Sequence, residues 1–181
     1  MTHDDAVRLV AGSSRAGEVE TWADLGCGDG VFTLALADQL AAGSTIHAID
    51  RDRAALRRIP ASHRGVHIET HAGDFTRLSW PFAPVDGILM ANALHFVSDQ
   101  AAFLRGCAGD LTPAGRFVIV EYDTDRPNPW VPHPLSRNSL AALFATVGFD
   151  SVETLGSRPS VYQRAALYAV AVARSSGAGR S

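Results

Sequence analysis

The chain has 181 residues, 46% of them hydrophobic and 19% charged, and a net charge of −3. That balance fits one folded domain with a real core, and it argues against a nucleic-acid partner, which needs a basic face. No apolar run reaches the ~18 residues that cross a bilayer, and "MTHDDAVRL" lacks the cationic start and apolar stretch of a signal peptide, so a cytoplasmic protein without a membrane partner is expected. In chain order, "EVETWADL" reads as a strand that runs into the glycine-rich "GCGDG", and Val31 to Ala42 as a helix with Phe32, Leu36 and Leu40 on one face. "STIHAID" is a second strand, Asp52 to Arg58 a short helix, "GVHIETH" a third strand. "VDGILMAN" is a fourth, apolar enough to be buried on both faces. Ser98 is a candidate cap for a helix carrying Phe103, Leu104, Cys107 and Leu111, followed by a turn at "TPAG" and a fifth strand, "RFVIVEY". Ser136 to Val147 is a further helix, and "FDSVETL" and "VYQRAALYAVAVA" are strands joined by "GSRPS". Alternating β and α elements predict an α/β, three-layer, doubly wound domain over residues 1–174 with an antiparallel last pair. The tail, residues 175–181, reads as disordered.

Two distant cysteines make neither a disulfide framework nor a zinc set. All sixteen basic residues are arginine, which removes Schiff-base chemistry and a phosphate-loop lysine.

The stretch "ADLGCGDGVF" carries most of the information. Gly26, Gly28 and Gly30 follow the first strand at the carboxyl edge of the sheet, where such folds bind ligands. A dinucleotide fingerprint needs its third glycine at position 31, and Val31 stands there. Asp24, just before the loop, would repel a pyrophosphate and suits a ligand with cationic groups. Asp50 ends the second strand about 20 residues beyond the loop, the usual place for a carboxylate that holds ribose hydroxyls. A nucleoside with positive charge fits better than a dinucleotide.

In this combination the sequence resembles the class I S-adenosylmethionine-dependent methyltransferases, nearest to their small-molecule, quinone-biosynthesis-like branch. "ADLGCGDG" resembles their glycine loop, "HAIDRD" their second-strand acid, "AGDF" the segment that contacts adenine, and "VDGILMANALHFV" the fourth-strand segment. The resemblance implies a Rossmann-like sheet of seven strands in the order 3-2-1-4-5-7-6, with strand 7 antiparallel. It also implies S-adenosyl-L-methionine as cofactor. Gly26, Cys27, Gly28 and Gly30 would pass beneath the methionine part, with Asp24 serving its ammonium. Asp50 would hold the ribose, Arg51, Asp74 and Phe75 the adenine, and Asn92 to His95 would face the sulfonium.

Other residues carry two readings. Cys27 suits a small buried position better than a nucleophile. His63, His67 and His71 recur every fourth residue but on a strand, so no metal site is expected. Arg51, Arg53, Arg57, Arg58 and Arg64 read as a solvated face. His95 is either a general base or a hydrogen-bonded brace, and both readings stay open. Glu121 and Tyr122 end the fifth strand, and Trp130 and His133 lie in the proline-rich "DRPNPWVPHPL"; these and His95 are candidate substrate contacts.

An in-line displacement at a sulfonium needs chiefly alignment and exclusion of water, so no strong catalytic constellation is required. Base-modifying methyltransferases carry N/D-P-P-Y/F after strand 4, where this chain has "ANALHF". Metal-dependent catechol-type enzymes need carboxylates there, and "MANA" has none. The expected reaction is methyl transfer to a small organic acceptor. The pocket is open, shared in a homodimer, or closed by the N-terminus. A non-catalytic adenosylmethionine-binding protein is the alternative, and an NAD(P)-dependent oxidoreductase fits less well.

Overall fold

The elements, in chain order, are α1 (His3–Leu9), β1 (Thr21–Leu25), α2 (Val31–Ala37), β2 (Thr45–Asp50), α3 (Arg53–Leu56), β3 (Ser62–His63), β4 (Val66–Ala72) and β5 (Val85–Ala91). A 3-10 turn (Leu94–Phe96), α4 (Gln100–Gly109), β6 (Leu111–Tyr122), α5 (Arg137–Ala145), β7 (Ser151–Arg158) and β8 (Leu167–Ala173) follow. The computed structural model describes residues 1–77, 80, 82–159 and 165–175. Among these residues one sheet runs in the order β3-β4-β2-β1-β5-β6-β8-β7. The pairs from β4 through β6 are parallel, and β8 lies antiparallel between β6 and β7. With the two-residue β3 set aside, this is the implied order 3-2-1-4-5-7-6; β3 adds an eighth, antiparallel strand beside β4. The proposed disordered tail falls, apart from Ser175, outside the described residues.

Side-chain alternation sorts the strands into two faces. Ile46 and Ala48 of β2, Val66 and Ile68 of β4, and Val118 and Val120 of β6 pack with residues of α1, α2 and α3. Ile49, Ile88, Met90, Phe117 and Ile119 pack on the other face with Leu104 of α4 and with Leu140 and Phe144 of α5. No helix among the described residues is long and apolar enough to cross a membrane.

Several boundaries differ from the sequence expectation. The helix expected over Val31 to Ala42 ends at Ala37, where the ladder tightens: the Gln39 N–H donates to the Leu36 carbonyl at 2.8 Å and the Leu40 N–H to the Ala37 carbonyl at 3.4 Å. Asp99, not Ser98, caps α4, accepting from the Ala102 N–H at 3.0 Å. The "TPAG" turn is absorbed into β6: Val85 pairs with Leu111 and Gly87 with Arg116, so the intervening residues form a bulge. The helix α1 was not expected. Its Thr2 hydroxyl accepts from the Asp5 N–H while the Asp5 carboxylate accepts from the Thr2 N–H, a reciprocal cap.

Trp22 and Gly87 are register partners on β1 and β5. The Trp22 indole N–H donates to Glu20 at 3.1 Å, and the Arg116 guanidinium, paired with Glu20 at 2.9 Å, lies 4.9 Å from the ring centroid. The ring is thereby locked over Gly87, where a Cβ would come within 2.4 Å of it. Gly87→Ala should therefore destabilise the fold by about 2–3 kcal/mol through overpacking, read as a lower urea midpoint. An unchanged midpoint would mean that the Trp22 ring can move.

Candidate cofactor site

β1 ends where its chain must reverse into α2. The N–H groups of Gly26 and Cys27 both donate to the Ile49 carbonyl, at 2.8 and 3.1 Å, which pins the turn to β2. Gly26 has φ +76°, and a Cβ there would stand 2.9 Å from Ala93 and 3.2 Å from Phe75. Only glycine satisfies both the left-handed backbone and the close approach. Gly28 also has a positive φ, +55°, but faces open space. Its N–H donates to Asp50 Oδ2 at 2.8 Å, while Asp50 Oδ1 accepts from the Asp52 N–H at 2.8 Å. The carboxylate at the end of β2 thus holds the glycine loop in place.

Beside this loop lies a cavity of about 400 Å³, within the range of small-ligand sites. Gly26, Asp50 and Arg51 form one side of it, Gly73, Asp74, Phe75 and Thr76 a second, and Asn92, Ala93 and Phe96 a third. Six expected residues therefore converge: Gly26, Asp50, Arg51, Asp74, Phe75 and Asn92. Asp74 is held by Thr76, whose backbone N–H and hydroxyl both donate to Oδ1, at 3.0 and 2.7 Å. Those bonds, with Arg77 nearby, hold its carboxyl below the usual carboxylate range. Asn92 takes a left-handed conformation, φ +54°, which asparagine tolerates better than most side chains. Its Oδ1 is buried and has no hydrogen-bond partner among the described residues. Leaving such an acceptor unpaired costs about 1–3 kcal/mol, which a ligand donor would recover.

Four expected residues are not among those lining the cavity. Cys27 is packed with Ala48, Leu56, Ile59 and Ile68, and burial pushes its thiol well up, so it is a core side chain. Gly28 and Gly30 shape the loop, and a Cβ at Gly30 would meet Ile59 at 2.7 Å. Asp24 is 1% exposed, and its Oδ2 accepts from the Thr33 hydroxyl at 2.6 Å. Burial pushes its carboxyl up to about 7, the Thr33 bond opposing and the Asp50 charge adding to the shift.

The candidate substrate residues separate. Glu121 and His95 are both buried, with His95 Nδ1 2.7 Å from Glu121 Oε2 and the His95 backbone N–H donating to Oε1 at 3.2 Å. Tyr122 packs on the opposite face of the sheet, against the cluster that holds Val118 and Val120. Trp130 is 80% exposed. His133 is exposed too, and joins the site through its backbone: its N–H donates to the His95 carbonyl at 3.1 Å, and its carbonyl accepts from Gln100 Nε2 at 2.9 Å. The proline-rich loop is thereby stitched to the turn after β5. Phe96, which sequence reasoning missed, is 58% exposed and lines the cavity, and its ring lies 4.3 Å from that of His95. Gly73 and Thr76 were missed as well, while Ala93 falls within the stretch Asn92 to His95 that was expected to face the sulfonium. Only nearness to Asp74 signalled Gly73 and Thr76.

The sheet order and the cavity at its carboxyl edge define a class I methyltransferase fold. A family model described as "Methyltransferase domain" matches residues 23–115, and the chain belongs to that family. It is similar to a probable S-adenosylmethionine-dependent methyltransferase of Mycolicibacterium smegmatis, 28% identical over 141 residues, covering 74% of this chain and 53% of the relative. It is also similar to the cypemycin N-terminal methyltransferase of a Streptomyces species, 33% identical over 107 residues, covering 57% of this chain and 42% of that one. The aligned part is thus about half the length of these relatives. Among solved structures, the 1,6-didemethyltoxoflavin N1-methyltransferase of Burkholderia thailandensis, with its substrate and S-adenosylhomocysteine bound, shares the fold. The TM-score is 0.69 at 22% identity, covering 95% of this chain and 78% of that one.

The raised Asp24 carboxyl has a measurable consequence. The unfolded chain releases this proton near the ordinary 3.8 and the native chain near 7. Between those values the native state holds an extra proton, so stability falls as pH rises, by up to about 4 kcal/mol. Asp24→Asn should remove that loss. Chemical denaturation of both proteins between pH 5 and 8 should show the variant gaining on the parent as pH rises. Parallel curves would mean that Asp24 does not carry the buried proton.

Proposed function

We propose that this chain is an enzyme that uses S-adenosylmethionine to methylate a small organic acceptor. The observation that carries this reading is the convergence of Asp50, Asp74 and the unpartnered Asn92 Oδ1 around a cavity floored by Gly26. The group fits these residues: Asp50 and Asp74 offer carboxylates to hydroxyl and amino donors, and the orphaned acceptor suits a donor on the ligand. S-adenosylmethionine supplies a methyl on a sulfonium that is already activated for in-line displacement. Asp50 would accept from the ribose hydroxyls, while its existing bond to the Gly28 N–H keeps the loop beneath them. Arg51, Asp74 and the Phe75 N–H would flank the adenine. Asp24 answers the ammonium through charge, and a nearby cation would draw its carboxyl back to the ionised form.

The acceptor is read as small from two supports. Of the proteins above, one is named for 1,6-didemethyltoxoflavin, and its structure holds that molecule. Phe96 offers an exposed aromatic face at the cavity's edge, which suits an acceptor with an apolar or planar part. His95 is read as a support for the turn after β5. Its Nδ1 is engaged by a buried carboxylate, its ring is 3% exposed, and its carbonyl anchors the proline-rich loop.

Calorimetry with S-adenosylmethionine tests the site. Asp50→Ala should weaken binding by about 2–3 kcal/mol, the loss of a charge-assisted partner for buried hydroxyls. Unchanged affinity in a folded variant would remove Asp50 from the site. His95→Gln separates brace from base once an acceptor is in hand. A brace predicts a lowered unfolding temperature or cofactor affinity with turnover largely kept. A fall in turnover of about 10²–10⁴-fold, with cofactor affinity unchanged, would make His95 the base.

A further inference from the structure

The parallel pairing of β2 and β4 builds a second polar cluster, whose members are not among the residues lining the cavity. His47 lies opposite Glu69 in register, and His71, two residues on, shares the same face of the sheet. His47 Nδ1 is 3.1 Å from His71 Nε2 and 3.4 Å from Glu69 Oε2, and the three candidate ligand atoms all lie within 4.8 Å of one another. Two ligands bound to a tetrahedral zinc at about 2.0–2.1 Å stand roughly 3.3 Å apart, so both shorter separations already match a tetrahedral edge. Phe82 stacks on the His47 ring at 3.9 Å and 9°, and its centroid is 5.1 Å from that of His71, which walls the imidazoles on an apolar side. The Glu69 side chain is 60% exposed, so it can rotate to close the remaining gap and leaves a side open to water.

We infer that His47, Glu69 and His71 form a binding site for a divalent transition metal, zinc foremost, with water as the fourth ligand. Two imidazoles and one carboxylate suit zinc, whereas magnesium and calcium take oxygen ligands. The every-fourth spacing of His63, His67 and His71 concealed the site, because its key member comes from the neighbouring strand. His63 belongs instead to a different cluster with His3 and Asp38. There Arg64 Nε already lies 2.8 Å from Asp38 Oδ1, and its charge opposes a second cation. The metal would clip β2 to β4 shortly before Asp50 and Asp74, and so fix the spacing of two walls of the cavity.

Zinc alone, titrated into the tag-free full chain in metal-free buffer at neutral pH, tests the assignment, with a chelator as competitor. The expected result is one zinc per chain, a higher unfolding temperature, and the intense visible bands of four-coordinate Co²⁺ when cobalt replaces zinc. Since even outer-shell partners contribute 10–100-fold to metal affinity, His71→Gln should weaken zinc binding at least about 100-fold and Glu69→Gln at least about tenfold. Both variants alter side chains that are not fully buried, so circular dichroism should show them folded. His63→Gln should leave zinc binding unchanged. Failure to bind zinc stoichiometrically, weak six-coordinate cobalt bands, affinity that survives His71→Gln, or affinity lost in His63→Gln would each overturn the site.

Discussion

Three loops meet over the end of β1 because Gly26 has no side chain. Ala93 from the turn after β5 and Phe75 from the loop after β4 both occupy the volume that a Cβ would need. Neither could approach a larger residue without moving by a sizeable fraction of an ångström. The same backbone is tied to the Ile49 carbonyl, and Asp50, next in the chain, reaches back to the Gly28 N–H. Steric contact and hydrogen bonding therefore fix the ends of β1, β2, β4 and β5 relative to one another. The cavity is the space left among them.

The strands were legible because a buried parallel sheet demands apolar, β-branched runs of about the length of "VDGILMA" or "RFVIVEY". Their spatial order was not contained in periodicity, and came from the family resemblance. Loops were harder. The four-residue bulge in β6 reads as a turn from "TPAG", since proline and glycine mark turns and bulges alike. Asp24 was expected near the ligand, but Thr33 reaches its carboxylate from the first turn of α2. Glu121 and Tyr122 are adjacent in the chain and were grouped together. Strand alternation sends one to His95 and the other to the opposite face. Phe96 had no distinguishing pattern, because an apolar letter in "NALHFV" does not reveal that its ring is exposed.

Buried polar groups on this scaffold do different work according to their partners. Glu20 is spanned by Arg116 and the Trp22 indole at the amino end of β1, and it stabilises the sheet. Glu121 is spent on His95, which shapes the turn beneath Phe96. Burial pushes the Asp24 carboxyl up to about 7, against the opposing bond from the Thr33 hydroxyl. Asn92 Oδ1 has no partner among the described residues.

The position of β8 between β6 and β7 also governs the order in which the chain can mature. A ribosome delivers β7 before the strand that joins it to the sheet. Until β8 emerges, the outer edge of β6 is an open row of backbone donors and acceptors, a template for pairing with another chain. During that interval α1 offers β7 a surface: a Cβ on Gly156 would stand 3.3 Å from the Arg8 carbonyl oxygen, and Arg158 pairs with Asp5 at 2.7 Å. Helix α1 thus gives β7 a partner outside the sheet, one that is made before β8.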